Sequence, residues 1–202
     1  DLDAPIVGHA LDREHGGDIY AWGQRAFIDP AEIIDFSASI NPLGPPASAR
    51  KAFQRSYKEV LRYPDPCGKE LKEALAKRHG MKPAEILVGN GSTQLIYLLC
   101  SALRPRKALI VAPAFSEYAN ALKLAGAKVR LLSLTSDGFF EFSTEKFMTS
   151  WGKDTGIAFL TTPNSMTGRL IPRAEIEKIA RIALLERRFL VIDEAFIDFV
   201  EE

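Results

Sequence analysis

Three stretches of this 202-residue chain combine residue types and spacing in a way that could do chemistry. Gly89-Asn90-Gly91-Ser92-Thr93 stands where an apolar run, Ile86-Leu87-Val88, gives way to a helical pattern. Such a turn presents free backbone N–H groups and the positive end of a helix dipole, so it can hold a phosphate. Ordinary turn chemistry, with Ser92 or Thr93 capping the helix, accounts for the same residues. Phe115, in Pro113-Ala114-Phe115-Ser116-Glu117-Tyr118, follows a second apolar run. From there an aromatic ring can lie against a flat heterocycle at a sheet's carboxyl edge, or pack into the core. Asp193 closes a third apolar run, where a carboxylate is costly to bury unless it meets a cation or a donor. A protonated pyridine nitrogen would serve, and so would a loop's own backbone.

Other chemistries are disfavoured. Gln94 stands where a dinucleotide fingerprint needs its third glycine, no acidic residue follows at the usual spacing, and no Gly-Lys-Ser/Thr loop exists. No metal site is expected. Lys51, Lys58, Lys69, Lys72 and Lys77 fall on charged helix faces, where a solvated ammonium is the ordinary state and not an activated amine.

The elements that must position these residues alternate. From about residue 87, short β-rich runs alternate with amphipathic stretches, the pattern of a parallel sheet wound with helices. Strands are expected at 86–88, 108–112, 129–134, 157–161 and 189–192. Helices are expected at 92–103, at 117–125 with Gly126 at its end, at 143–151 capped by Ser143, and from Pro172 as first residue to about 187. The first eighty residues differ, with Gly/Pro-rich loops and two charged helices at 47–61 and 68–79. They read as an arm plus part of a smaller domain, giving a division into 1–80 and 81–202, with the change somewhere between Tyr63 and Pro83.

Composition bounds the partners. Basic and acidic residues number 26 each, so neither nucleic acid nor an anionic membrane is an expected partner. Cys67 and Cys100 fit reduced thiols in a cytoplasmic protein better than a disulfide framework. No apolar run approaches the ~20 residues that cross a bilayer. The start, Asp1-Leu2-Asp3, suggests a trimmed N-terminus with neither signal nor anchor.

Taken together, Gly89 to Thr93, Pro113 to Tyr118, Pro163-Asn164-Ser165-Met166-Thr167-Gly168 and Asp193-Glu194-Ala195-Phe196 stand in the order and spacing of one family. Over about residues 15–200 the chain resembles the fold-type I pyridoxal-5′-phosphate (PLP) enzymes of the aminotransferase class. The resemblance implies an α/β fold of the aspartate-aminotransferase type, with an incomplete large domain built on a mainly parallel sheet. Within the class, His15-Gly16-Gly17 and Asp35-Phe36-Ser37-Ala38-Ser39-Ile40-Asn41-Pro42-Leu43-Gly44 resemble the threonine-phosphate decarboxylases of cobalamin biosynthesis. The histidinol-phosphate aminotransferases share most of the other motifs.

Roles follow from that resemblance. Gly91, Ser92 and Thr93 would cradle the cofactor phosphate, Phe115 would stack on its ring, and Asp193 would keep the ring nitrogen protonated. Tyr63 would reach the phosphate of a neighbouring subunit, implying a homodimer. His15, Gly16, Ser39 and Asn41 would line the substrate's phosphate and carboxylate side. Ser165 stands where relatives carry the asparagine that touches the cofactor's phenolic oxygen, unless Asn164 takes it over. Ser39 likewise replaces an asparagine, and Phe196 a tyrosine common among the aminotransferases. The lysine that binds the cofactor covalently is expected beyond residue 202, so the parent protein would do the work and this portion alone would be inactive. The activity implied is decarboxylation of L-threonine O-3-phosphate, with transamination of a phosphorylated substrate such as histidinol phosphate as the alternative. A lysine-free binding or dimerisation module is the alternative from another class.

Overall fold

Four short apolar runs become the strands of one parallel sheet in a computed structural model that describes residues 16–201. They are β1 (Lys107–Ala112), β2 (Lys128–Ser133), β3 (Ile157–Thr161) and β4 (Phe189–Asp193), in the order β2-β1-β3-β4. β3 is buried at all five residues, which is why Ile157-Ala158-Phe159-Leu160 carries no polar alternation. Its register sets Thr161 opposite Asp193.

Helices cover both faces. α4 (Gly91–Leu103) and α5 (Ser116–Leu124) pack through Ile96, Cys100, Tyr118 and Leu122 onto Ala108, Ile110, Ile157 and Phe159. α6 (Thr144–Trp151) and α7 (Arg173–Leu185) pack through Phe147, Trp151, Ile179 and Ala183 onto Leu109, Val111, Ala158 and Leu160. Burying rings such as Phe147 and Trp151 stabilises by roughly 1.5–3 kcal/mol each. β1 leaves for α5 on one face and β3 leaves for α7 on the other, although the two strands are neighbours. Their connections therefore part at the carboxyl edge and open a crevice between β1 and β3, where ligands of wound sheets bind.

Two compact units divide between Tyr63 and Pro64. The sheet and its helices belong to the second, as does α3 (Lys69–His79), which starts after Gly68 in the left-handed region (φ 58°). The first holds α1 (Ile19–Ala26), capped by the Asp18 side chain, and α2 (Ala47–Ser56). Among its described residues only Gly23 is buried. Here Gly16 and Gly17 lie against Ser37: a Cβ on Gly16 would stand 1.8 Å from the Ser37 carbonyl oxygen, and Gly17 N donates to Ser37 Oγ at 2.8 Å.

Four expectations are corrected. Ile86-Leu87-Val88 is not a strand; Ile86 is extended (φ −113°, ψ 127°), but no neighbouring strand among the described residues offers it an edge. The helix expected over 47–61 stops at Ser56 and tightens into a 3-10 turn, Tyr57–Leu61. Pro172 precedes α7 with an extended ψ of 138° and is its cap, not its first residue. Neither Ser92 nor Thr93 caps α4, because Asn90 takes that place and the two residues fall in the first turn. The other helices and strands of the sheet region form within about a residue or two of expectation, and Ser143 Oγ accepts from Lys146 N as its role as cap requires. Among the described residues no helix is long and apolar enough to cross a membrane.

Candidate active site at the sheet's carboxyl edge

Asp193 ends β4 with its carboxylate turned toward the α4/α5 face. Tyr118, in the first turn of α5, donates its hydroxyl to Asp193 Oδ2 at 2.5 Å, and Ala195 N donates to Oδ1 at 3.0 Å. Thr161 Oγ1 lies 3.0 Å from the same Tyr118 hydroxyl. The carboxylate is therefore held by donors at both oxygens and stays only half-buried, which leaves room for a further partner.

Phe115 sits just ahead of α5. Its ring meets Tyr118 edge-on at 5.8 Å, and Tyr118 in turn stacks on Phe159 at 5.0 Å. Phe115 is half-buried, with part of its surface left open at the edge. Burial, and then the hydrogen bond to Asp193, push the Tyr118 phenol far above its ordinary value, while the Thr161 hydroxyl works the other way. Tyr118 remains a protonated donor throughout the neutral range.

Asn164 joins the exits of the two central strands. Its Nδ2 donates to Pro113 O at 2.8 Å, while its Oδ1 accepts from Met166 N at 3.0 Å and Thr167 N at 3.1 Å. The amide, 8% exposed, braces the crevice mouth and shapes the 163–168 loop. Ser165 is exposed in that loop.

The turn before α4 arrives at the same edge. Tyr97, in the second turn of α4, donates to Glu117 Oε2 at 2.7 Å in the first turn of α5, so the two helices start side by side. Gly91 has φ 75°, a backbone that favours glycine, and a Cβ on Gly89 would meet Leu95 Cδ2 at 2.8 Å. Asn90 N is satisfied by Gln94 Oε1 at 2.6 Å. The N–H groups of Ser92 and Thr93, in an exposed first turn, have no acceptor one turn back in the helix and point out of its positive end.

These residues fit a flat cationic heterocycle carrying a phosphate: a braced carboxylate for the cation, an aromatic face, and a helix N-terminus for the anion. The second unit thus brings Phe115, Asn164 and Asp193 to one edge and sets the Gly91-Ser92-Thr93 turn beside them. Gly16, Ser39, Asn41 and Tyr63 belong to the first unit. Ser39 and Tyr63 are exposed; Asn41 folds a local turn by accepting from Leu43 N at 3.0 Å. His15 lies outside the described residues. Tyr118 and Thr161 were missed from sequence, although two signals were present. Tyr118 follows Phe115 by three residues into a helix start, and Thr161 ends the strand beside the one that Asp193 ends.

A separate cleft of about 300 Å³ opens on the α6/α7 side, lined by Val111, Phe142, Leu160, Ile171 and Glu175 among others. It shares Thr161 and Asn164 with the site but includes neither Phe115, Tyr118 nor Asp193. It is not the crevice described above.

Comparison with known proteins agrees with the fold. A profile of the family Aminotransferase class I and II matches residues 31–202. The chain is 39% identical over 186 residues to a threonine-phosphate decarboxylase of Salmonella typhimurium, covering 92% of this chain and 51% of that protein. It is 34% identical over 175 residues to a histidinol-phosphate aminotransferase of Stutzerimonas stutzeri, covering 85% and 46%. The crystal structure of L-threonine-O-3-phosphate decarboxylase from Porphyromonas gingivalis superposes with a TM-score of 0.70 at 26% identity, covering 84% and 49%. The chain spans about half the length of the curated relatives it matches.

Proposed function

The chain belongs to the aminotransferase class I and II family, whose members depend on pyridoxal 5′-phosphate, and from that premise we propose that the whole protein decarboxylates L-threonine O-3-phosphate to aminopropanol phosphate. The observation that carries the reading is the Asp193 carboxylate, fixed at the carboxyl edge by Tyr118 and Ala195 N beside the Phe115 ring. When bound, the cofactor supplies an electron sink for the pair left on the substrate's α-carbon as a bond there breaks.

The chain's own residues bind and orient. Asp193 holds the proton on the ring nitrogen, Phe115 presents its face to the ring, and the first turn of α4 with Ser92 and Thr93 holds the phosphate. Asn164 keeps the loop in place, and Ser165, or Asn164 itself, would meet the ring's phenolic oxygen. Tyr63 reaches the phosphate held by a second copy, so the working form is a homodimer. His15, Gly16, Ser39 and Asn41 take the phosphate and carboxylate side of the substrate.

Decarboxylation is favoured over transamination by the 39% identity to the Salmonella protein and by the two motifs of the first unit. Those motifs are in direct contact, through Gly17 N and Ser37 Oγ. Amino-group transfer on a phosphorylated substrate is the second reading, supported by the 34% identity to a histidinol-phosphate aminotransferase. The whole protein, incubated with PLP and L-threonine O-3-phosphate, is expected to release carbon dioxide and aminopropanol phosphate in equal amounts. Glutamate formed from histidinol phosphate and 2-oxoglutarate, with no carbon dioxide from threonine phosphate, would replace the first reading with the second.

A further inference from the structure

We propose that Thr161 and Tyr118 are positioning residues acting in series on Asp193, Thr161 through Tyr118, to hold the carboxylate in place for a cationic ring nitrogen. The inference rests on reading this edge as the place where that nitrogen is held.

The direction of the chain follows from counting protons. A tyrosine hydroxyl has one proton and two lone pairs, and an ionised carboxylate only accepts. At 2.5 Å the Tyr118–Asp193 contact has the length of a charge-assisted O–H···O⁻ bond, so the tyrosine's single proton is directed at Asp193. The 3.0 Å contact between Tyr118 and Thr161 is then possible only with Thr161 Oγ1 as donor. The order is Thr161 to Tyr118 to Asp193. A donor that itself accepts a hydrogen bond is polarised and gives its proton more strongly.

Packing removes the alternatives. Tyr118 is 1% exposed and Thr161 9%, so water does not compete for either hydroxyl. Phe159 stacks on the tyrosine ring and Phe115 abuts it edge-on, which stops the hydroxyl from swinging away. Thr161 and Asp193 are register partners at the ends of neighbouring strands, so the sheet itself sets the geometry. With Ala195 N on the other oxygen, the plane of the carboxylate is fixed before any ligand arrives. The raised Tyr118 phenol agrees with this geometry, since the hydroxyl keeps its proton throughout the neutral range.

The test uses the whole protein and needs no substrate. The dissociation constant for PLP is measured by equilibrium dialysis for wild type, Tyr118→Phe, Thr161→Val and the double variant, with a melting curve for each. Tyr118→Phe is expected to weaken retention about 10- to 100-fold, the worth of a hydrogen bond to a charged group, and Thr161→Val by a smaller factor in the same direction. The double variant should match Tyr118→Phe alone within about twofold, because a residue that acts through another adds nothing once the second is gone. Unchanged retention in Tyr118→Phe, or factors that multiply in the double variant, overturns the proposal. Should Tyr118→Phe not melt cooperatively, 3-fluorotyrosine at position 118 replaces it. It is a more acidic donor of nearly the same shape and should tighten retention, and looser retention counts against the proposal. A wild-type protein that retains no PLP overturns the cofactor reading itself, whereas retention without the series relation overturns only this inference.

Discussion

The Tyr118 hydroxyl lies 2.5 Å from Asp193 Oδ2, so the first turn of α5 and the last residue of β4 are joined by one part-buried hydrogen bond. It links the helix start that carries Phe115 to the strand end that carries the carboxylate, and it makes a pH dependence testable. Burial and the bond to Asp193 raise the Tyr118 phenol above its ordinary value of about 10. The unfolded chain loses this proton near pH 10 while the folded protein keeps it. The stabilisation is therefore complete below about pH 10 and is lost as pH rises through the folded value. Relative to Tyr118→Phe, wild-type stability should fall by about 1.4 kcal/mol per pH unit above about 10. Urea unfolding of the two proteins across that range measures it, and parallel curves would mean that Tyr118 does not titrate as described.

Gly91 should tolerate no side chain without strain. Nothing lies within 4 Å of a Cβ built there, so the cost of Gly91→Ala comes from its φ of 75° alone, about 1–2 kcal/mol. The strain falls on the first turn of α4. PLP should be retained about three- to tenfold more weakly in the variant, with inorganic phosphate bound more weakly by a similar factor. Equal retention would place the phosphate elsewhere.

In the first unit, Gly16→Ala would push a methyl to within 1.8 Å of the Ser37 carbonyl oxygen, so backbone must move. The bond from Gly17 N to Ser37 Oγ should break, at a local cost of about 1–3 kcal/mol. Hydrogen exchange at the Gly17 amide should quicken, while the amides of β3 keep their protection. Unaltered exchange at Gly17 would show that the contact is not rigid.

Arg188 closes the C-terminal end of α6. Its guanidinium donates to Gly152 O at 3.0 Å and Trp151 O at 3.4 Å, lies 4.3 Å from the Trp151 ring centroid, and pairs with Glu186. The side chain is 7% exposed, so its loss leaves two part-buried carbonyls without this donor. Arg188→Met, which keeps the stem, should destabilise by roughly 2–4 kcal/mol in urea. Arg130→Met, which removes an exposed donor to Ser150 O, should cost less than about 1 kcal/mol. Equal losses would refute the distinction.

Much of this arrangement is written in local sequence. Strand and helix order from residue 91 onward follows from hydrophobic period, from Ser143 as a cap and from Gly126 as a helix end, because these depend on neighbours along the chain. The chemical types at the site are equally local: a carboxylate at a strand end, an aromatic ring before a helix, and a glycine turn with two hydroxyls. What sequence could not supply was partnership. Ile86-Leu87-Val88 has the composition of a strand, but a strand exists only where an edge accepts it, and none among the described residues does. Nor could sequence show that the Asn164 amide braces the mouth of the crevice through Pro113 O, a residue 51 positions away. Tyr118 and Thr161 were visible as residue types and became a pair acting on Asp193 only because the parallel register of β3 with β4 and the packing of α5 set three distant hydroxyl and carboxyl groups within hydrogen-bond reach. Local preference determined which groups were present, and tertiary packing decided which of them meet, since hydrogen bonds between distant residues depend on a register that no short window of sequence contains.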